Sequence, residues 1–264
     1  MRIATWNVNS IRARAERVTA WLDRSQVDVL ALQETKCSDV DFPYLSFEAY
    51  GYEVAHVGLD QWNGVAIASR VGLADVERSF PGQPTWGGTL EARALAATCG
   101  AVRVWSVYVP NGRALDDPHY RYKLNWLAGL RRAVADWPGE PTVIVGDWNV
   151  IPTDDDVWDA GALAGKTHVS EPERRALSEF SDAGFTELTA AATPGQYSYW
   201  DYQQLAFPKN RGMRIDLAFG NEAFANRLHE VRIDRDERKG AGASDHVPVV
   251  LDVLMDTDQP ASPH

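Results

Sequence analysis

Eight polar residues fall at the ends of short apolar runs: Asn7, Glu34, Tyr108, Asp147, Asn149, Asp216, Asp245 and His246. Strand ends are rigid, so side chains there can be held in fixed geometry. One such acid reads as a surface residue, whereas eight polar groups in equivalent positions read as a shared rim. In an extended chain residues i and i+2 face the same way while neighbours diverge. Asp147 is therefore expected to point with Asn149, and Asn7 with Asn9, whereas Asp245 and His246 should separate. His246 then needs an orienting carboxylate from elsewhere, and Asp216 in Arg214-Ile215-Asp216-Leu217 is the candidate. Carboxylates and amides, with one suitable histidine and no cysteine, suit a hard cation such as Mg²⁺ or Mn²⁺ rather than zinc. Magnesium takes one or two carboxylates and completes its shell with water and substrate phosphate. Glu34 is the first choice for that ligand, with Asn7 or Asp245 nearby. Asp147, His246 and Tyr108 remain for protons and developing charge, an inventory that fits phosphoester hydrolysis.

Each residue taken singly has a plainer reading. Asp147 after Gly146 reads as a turn residue, Ser244-Asp245 as a cap, and Asn7 as satisfying backbone at a strand end. A single His246 is more often structural than catalytic, and Lys209, Arg211 and Arg214 would form a solvated face. All of these being incidental together is a far weaker reading than any one alone.

The elements that must position these groups are legible as apolar periodicity. A strand is expected around Ile3 and Trp6, then a helix capped by Ser10 with Ile11, Ala15, Val18 and Leu22 at helical spacing. Buried strands are predicted at 27–32 and 64–68, and a hairpin of 93–99 with 102–109 around Gly100. A helix is predicted over 119–137, with Leu124, Leu127, Leu130, Val134 and Trp137 on one side and Pro138-Gly139 as its stop. Residues 141–145 form the clearest buried strand. Ser170 and Glu173 make a capping box with Pro172 in the first turn, opening a helix that ends near Gly184. Further strands are expected at 198–202, 215–219, 228–233 and 247–254. Many strands with three or four helices imply two packed sheets with helices outside, an α+β layered fold, because a doubly wound parallel sheet needs a helix after nearly every strand. Residues 1–254 are read as one domain and the polar tail 255–264 as disordered.

Composition bounds the function. The 264 residues are 45% hydrophobic and 24% charged, which excludes disordered and collagen-like classes. With 26 basic and 37 acidic residues the net charge is −11, an argument against nucleic-acid binding as judged by total charge. No apolar run reaches the roughly 18–20 residues of a membrane span. The start MRIATWNVNS carries no secretory-type head and core, so a cytoplasmic location is expected. Cys37 and Cys99 are too few for a disulfide framework and are read as idle thiols.

Six segments match a known family in order and approximate spacing. They are Thr5-Trp6-Asn7-Val8-Asn9-Ser10-Ile11-Arg12-Ala13, Leu32-Gln33-Glu34-Thr35-Lys36, Tyr108-Val109-Pro110-Asn111-Gly112, Gly146-Asp147-Trp148-Asn149, Arg214-Ile215-Asp216-Leu217 and Ser244-Asp245-His246-Val247-Pro248. Over residues 1–254 the chain resembles the exodeoxyribonuclease III family of bacterial abasic-site endonucleases, within the exonuclease–endonuclease–phosphatase superfamily. The resemblance implies a four-layered α/β-sandwich with the site at one edge. It implies Glu34 as main metal ligand with Asn7 and Asp245 beside it, and Asp147 as the group orienting or deprotonating water. Asn149 and Tyr108 would stabilise the transition state or leaving group, and His246, held by Asp216, would bind the scissile phosphate. The implied reaction is Mg²⁺-dependent hydrolysis of DNA phosphodiesters 5′ to abasic sites, 3′→5′ from duplex ends, and at 3′ blocks, leaving a 3′-hydroxyl. The implied partner is duplex DNA, abasic or 3′-blocked, bound by a monomer.

This sequence departs from the family pattern in places: Asn9 stands where some relatives have an acid, and Met213 where some have Trp. Tyr199-Trp200-Asp201-Tyr202 occupies the segment that in relatives lies beside the extruded sugar. Lys36, Arg70, Arg113, Lys209, Arg211 and Arg214 are the expected phosphate contacts, with Tyr199, Trp200 and Met213 beside the nucleotide. A basic track on an acidic body would reconcile DNA binding with the net charge, and such binding would weaken steeply with salt. The superfamily's inositol-polyphosphate and sphingomyelin phosphodiesterases are the alternative class. Tyr108 and the aromatic-basic stretch 197–214 favour DNA. A secreted DNase I-like nuclease would carry a signal peptide and a histidine in place of Tyr108. A non-catalytic DNA-binding scaffold would require a lost ligand.

Overall fold

The computed structural model describes residues 1–137 and 139–254. In chain order the elements are β1 (Arg2–Asn7), α1 (Ile11–Ser25), β2 (Val29–Gln33), α2 (Tyr44–Glu48), β3 (Glu53–Val57), β4 (Val65–Ser69), β5 (Ala74–Glu77), β6 (Ala94–Cys99), β7 (Val102–Tyr108), α3 (Pro118–Val134), β8 (Thr142–Asp147), α4 (Glu171–Ser178), β9 (Phe185–Glu187), β10 (Asp216–Asn221), α5 (Glu222–Ala225), β11 (Leu228–Ile233) and β12 (Val249–Val253). Two six-stranded sheets run β11-β12-β1-β2-β4-β3 and β5-β6-β7-β8-β10-β9. Each is mixed: β1 pairs parallel with β2, and β7 with β8, while the other pairings are antiparallel.

The central core lies between the sheets, with Ile3, Val29, Ala31 and Ile67 of one facing Leu95, Val104, Val143, Val145 and Ala218 of the other. Outside the first sheet, Trp6, Leu30 and Leu32 pack with Val18, Trp21 and Leu22 of α1 and Phe47 of α2. Outside the second, Trp105, Ile144 and Leu217 pack with Trp126, Leu127 and Leu130 of α3 and Leu177 of α4. The four layers are helices, sheet, sheet, helices. Alternation along the strands places Thr5, Asn7, Gln33, Ser106, Tyr108, Asp147 and Asp216 on the same inward parity as those core residues.

Several expectations shift. Ser10 has φ 90 and makes no side-chain cap. The N–H groups of Ser10 and Ile11 bond instead to the carbonyls of Glu34 (2.7 Å) and Thr35 (3.0 Å), so the segment carrying Glu34 caps α1. Helix α3 starts from Asp117, whose side chain accepts from His119 N–H, with Pro118 in the first turn, and ends at Val134. Its buried face holds Tyr122, Lys123 and Trp126, and Leu124 sits only at its margin. Of its expected stop, Pro138 lies outside the described residues, as does the tail 255–264. Residues 198–202 form no strand; Tyr199 makes isolated bridges to Met213 and His246. Short, exposed or mixed β3, β5 and β9 and the brief α2 and α5 carry too little periodicity to be read from sequence. Cys37 and Cys99 are free and buried, and burial raises both thiols to about 11.

Candidate active site

Strands β1, β2, β7 and β8 end, and β10 begins, at the same edge of the sandwich, because Asn7 pairs with Gln33, Tyr108 with Asp147, and Asp147 with Asp216. Gly146 precedes Asp147 for a steric reason: a Cβ there would sit 1.9 Å from the Val107 carbonyl oxygen. Beyond β1 and β8 the chain does not stay extended. Asn9 (φ 44) and Asn149 (φ 50) are left-handed, and their N–H groups bond to Asn7 Oδ1 (3.0 Å) and Asp147 Oδ1 (2.9 Å). Both strand ends thus close in the same side-chain-to-backbone turn, which corrects the expectation that each i, i+2 pair points together. Asn9 reaches Asp245 (Nδ2 to Oδ1, 3.2 Å) and Lys36 (2.5 Å), and Asn149 donates to the Val109 carbonyl (3.0 Å).

Asn7 is the central spacer. Its Nδ2 donates to Glu34 Oε1 (2.8 Å) and Asp147 Oδ2 (2.9 Å), holding two acids side by side. In this rotamer its oxygen faces Asn9 rather than the acids. Glu34 itself is left-handed (φ 52), which turns its carboxylate inward, and Lys36 Nζ sits 2.6 Å from Oε2. Burial raises the Glu34 carboxyl, but the Lys36 ammonium and the Asn7 amide outweigh it and hold the pKa below the ordinary value. Asp147 moves the other way. Burial, opposed by His246 but reinforced by Asp216 and Glu34, raises it to about 7. His246 Nδ1 lies 2.8 Å from Asp216 Oδ2, and Nε2 lies 3.8 Å from Asp147 Oδ2. Burial disfavours the imidazolium, yet Asp216 and Asp147 bring its pKa up to about 10. Tyr108 stays a neutral phenol, because burial and the Glu34 charge hold it well above 10. The site therefore pairs an imidazolium with a carboxylate poised near neutrality.

Oxygen or nitrogen atoms of Glu34, Asp147 and His246 all lie within 4.8 Å of one another. A protonated His246 offers no lone pair, so the donors available to a cation are carboxylate oxygens, which fits a hard divalent ion. Asp245 lies on the cavity wall outside that trio, its Oδ1 accepting from Asn9 and Ser244. The cavity they line, of about 660 Å³, also takes in Tyr199, Met213, Arg113 and Asn149. Tyr199 meets His246 edge-on at 4.8 Å.

Three expected DNA contacts do not reach this face. Arg70 follows β4 at the opposite end of the sandwich, bound to Asp28 and Gln26. Trp200 is buried in the core, its Nε1 on Asn210 Oδ1 at 3.3 Å. Arg214 is buried against Asp156, with Thr193 and Thr189 accepting from the same guanidinium. Asp156 is consequently an internal counter-charge and no part of an acidic surface. Arg211 is stacked on Trp158, 4.9 Å from its centroid, and Lys209 sits in the same loop.

Residues not expected at the site complete it. His168 Nε2 is 3.0 Å from Asn149 Oδ1, and burial together with the Lys123 ammonium lowers its pKa to about 3, so the ring is neutral. It falls in an irregular stretch with no periodicity to mark it. Asn111, present in the Tyr108–Gly112 motif but given no role, donates to Asn149 Oδ1 at 3.3 Å. Lys123 donates to the carbonyls of Asn149 (2.6 Å) and Asn111 (3.2 Å) and pairs with Glu173 at 2.5 Å, with both side chains fully buried. The capping box was the visible signal for Glu173, but its second task was not. Arg93, paired with Glu91 at 2.6 Å, lies 4.8 Å over the Tyr108 ring and fixes it.

A layered sandwich with acids, an imidazolium and amides at joined strand ends defines a phosphoester-cleaving class. Residues 4–246 match the Endonuclease/Exonuclease/phosphatase family, and the chain belongs to it. It is 29% identical to exodeoxyribonuclease III of Haemophilus influenzae, over 94% of this chain and 98% of that protein. Among solved structures it is similar to the 3′ phosphatase NExo from Neisseria bound to product DNA hairpin (TM-score 0.92, 35% identity, 97% and 100% of the two chains). It is also similar to an AP endonuclease from Archaeoglobus fulgidus (TM-score 0.91, 32% identity, 97% and 100%).

Proposed function

We propose that this chain is a DNA repair nuclease and 3′-end phosphohydrolase that acts on duplex DNA as a monomer in the cytoplasm. It hydrolyses phosphodiesters 5′ to abasic sites, removes nucleotides 3′→5′ and clears 3′ phosphates, leaving a 3′-hydroxyl. The observation that carries this reading is the buried Asp147–His246–Asp216 row beside Glu34 at the edge where the two sheets meet. Relatives named for exonuclease, 3′ phosphatase and AP endonuclease activities support DNA as the substrate.

The chemistry follows from the charges. His246, kept as imidazolium by Asp216, presents Nε2–H to a phosphate oxygen and stabilises charge developing there. Asp147, with a pKa near 7, accepts the proton of the attacking water at physiological pH. Asn7 holds that carboxylate in place. Neutral Tyr108 donates to the departing oxygen, with Asn149 beside it on the cavity wall, and Arg113 and Lys36 draw the phosphate backbone toward the cavity. Glu34 would hold Mg²⁺ (or Mn²⁺), with Asn7 and Asp245 at its margin; when bound, such an ion polarises the phosphate.

The test uses two duplexes, one with an internal abasic-site analogue and one with a 3′-terminal phosphate. Each is incubated with Mg²⁺ or EDTA, with the wild type and with Glu34→Ala and Asp147→Asn. Metal-dependent release of a 3′-hydroxyl, lost in both variants, is expected. Intact folded protein that cleaves neither duplex would overturn the reading.

A further inference from the structure

Beside the catalytic cavity lies a second, of about 630 Å³, which shares Tyr108, Asn111 and Arg113 with it and is walled by Trp62 and Trp86. Trp62 is 64% exposed, although burial of an indole is ordinarily a large gain. Nothing about its loop is loose. Asn63 and Gly64 are left-handed, and a Cβ on Gly64 would meet Thr35 Oγ1 at 2.0 Å. Thr35 N–H donates to the Gly64 carbonyl (3.2 Å) and Lys36 N–H to that of Asn63 (2.9 Å), so this loop is bonded to the segment that carries Glu34. Trp62 N–H is fixed on Asp60 Oδ1 (2.8 Å). Asn63 Nδ2 donates to Glu91 (3.0 Å), whose partner Arg93 covers Tyr108. The backbone that carries the exposed indole is thereby tied to the segments of both Glu34 and Tyr108. On the opposite wall the Arg113 guanidinium lies 5.7 Å over Trp86, and its nearest carboxylate, Asp117, is 3.9 Å away.

A solvent-facing indole on an anchored loop, lining one cavity with an under-neutralised guanidinium, matches a flat base joined to a phosphate. We propose that this second cavity is a nucleobase subsite. An unpaired base next to the hydrolysed phosphate stacks on Trp62, while Arg113, on the wall common to both cavities, holds the intervening phosphate. This rests on DNA being the substrate. It makes a frayed or mismatched 3′ end a better substrate than a fully paired one, since a base must leave its pair to enter this cavity beside the phosphate.

The experiment uses a duplex whose mismatched 3′-terminal nucleotide is 2-aminopurine. Fluorescence is read on binding in EDTA, and cleavage in Mg²⁺. Wild type is expected to quench the probe and to prefer the mismatched end. Trp62→Ala should abolish the quench and raise KM about tenfold, with the loss falling on KM more than kcat, and Trp62→Phe should restore most of it. An active wild type whose quench and KM are unchanged by Trp62→Ala would overturn the subsite alone. A wild type that neither binds nor cleaves the duplex would overturn the DNA reading and the subsite with it.

Discussion

Glu173→Gln should be among the most destabilising single changes in this protein. The Glu173 carboxylate accepts from Lys123 Nζ (2.5 Å), Thr167 Oγ1 (2.6 Å), His168 N–H (2.9 Å), and Ser170 N–H (3.1 Å) and Oγ (2.6 Å). Neither charged side chain touches solvent. The amide keeps the shape but removes the negative charge, leaving a buried ammonium facing only carbonyls and a hydroxyl. Breaking one side of a buried pair costs about 3–5 kcal/mol, a large part of the roughly 5–15 kcal/mol that holds a domain together. At about 2–4 °C per kcal/mol for a chain approaching this size, the melting midpoint should fall by about 6–20 °C. Lys123→Met should cost less, because four uncharged donors still serve Glu173. The double variant should be more stable than the sum of the singles implies, by about 1–3 kcal/mol. Thermal melts and urea unfolding followed by circular dichroism measure all three. A Glu173→Gln protein with a midpoint within about 2 °C of wild type would refute the assignment of Lys123 as a buried charge neutralised by Glu173. Activity provides a separate readout, since Lys123 also positions the carbonyls of Asn111 and Asn149.

Further outcomes follow from the same structure. Asp147→Asn should abolish hydrolysis yet raise stability by about 1–2 kcal/mol at neutral pH, because an acid crowded by Asp216 and Glu34 is relieved; activity and thermal melts on one preparation check both. Asp216→Asn should bring the His246 titration down from about 10 toward its ordinary value, visible by NMR of the imidazole, and cut kcat on the order of 10²–10⁴-fold. Acid unfolding should begin early. His56 and His119 are held near 4 by burial, and His168 near 3, so the unfolded chain binds more protons as pH drops below about 6.5, and the stability present above that value is progressively lost toward pH 4. Glu173 and Glu91, whose pKa values are lowered in the fold, add their loss below the ordinary glutamate range; unfolding free energy measured from pH 8 to 3 follows the whole course. Finally, with only Lys36, Arg113, Lys209 and Arg211 left as candidate phosphate contacts, log Kd against log salt should have a slope of about 4, and a slope near 8 would mean contacts elsewhere.

The parts of this molecule that sequence made legible are those governed by parity and by local stereochemistry. Inward alternation in β1, β7, β8 and β10 puts Asn7, Tyr108, Asp147 and Asp216 on the face that also carries Ile3, Val104, Val145 and Ala218, so the hydrophobic pattern that specifies the core also aims the site. A one-residue slip in any of these strands would turn a core residue outward together with its catalytic neighbour, and the register of the site is protected by the energy of the core. Sequence failed where long-range partners decide. Arg70, Trp200 and Arg214 have the chemistry of DNA contacts but are consumed by Asp28, Asn210 and Asp156, pairings 42, 10 and 58 residues apart. His168 and Lys123 were invisible for the converse reason: they sit on an irregular segment and on a helix face otherwise apolar. What the core cannot fix is the conformation past each strand end, and there the left-handed Asn9, Glu34 and Asn149 take over, each held by a hydrogen bond through its side chain or backbone. The catalytic edge is therefore rigid for two separate reasons, sheet register up to Asn7 and Asp147 and turn chemistry beyond them, and the two should fail differently: substitutions of the apolar core residues that set the register by unfolding, and substitutions at Asn9, Glu34 and Asn149 by losing activity in a folded protein.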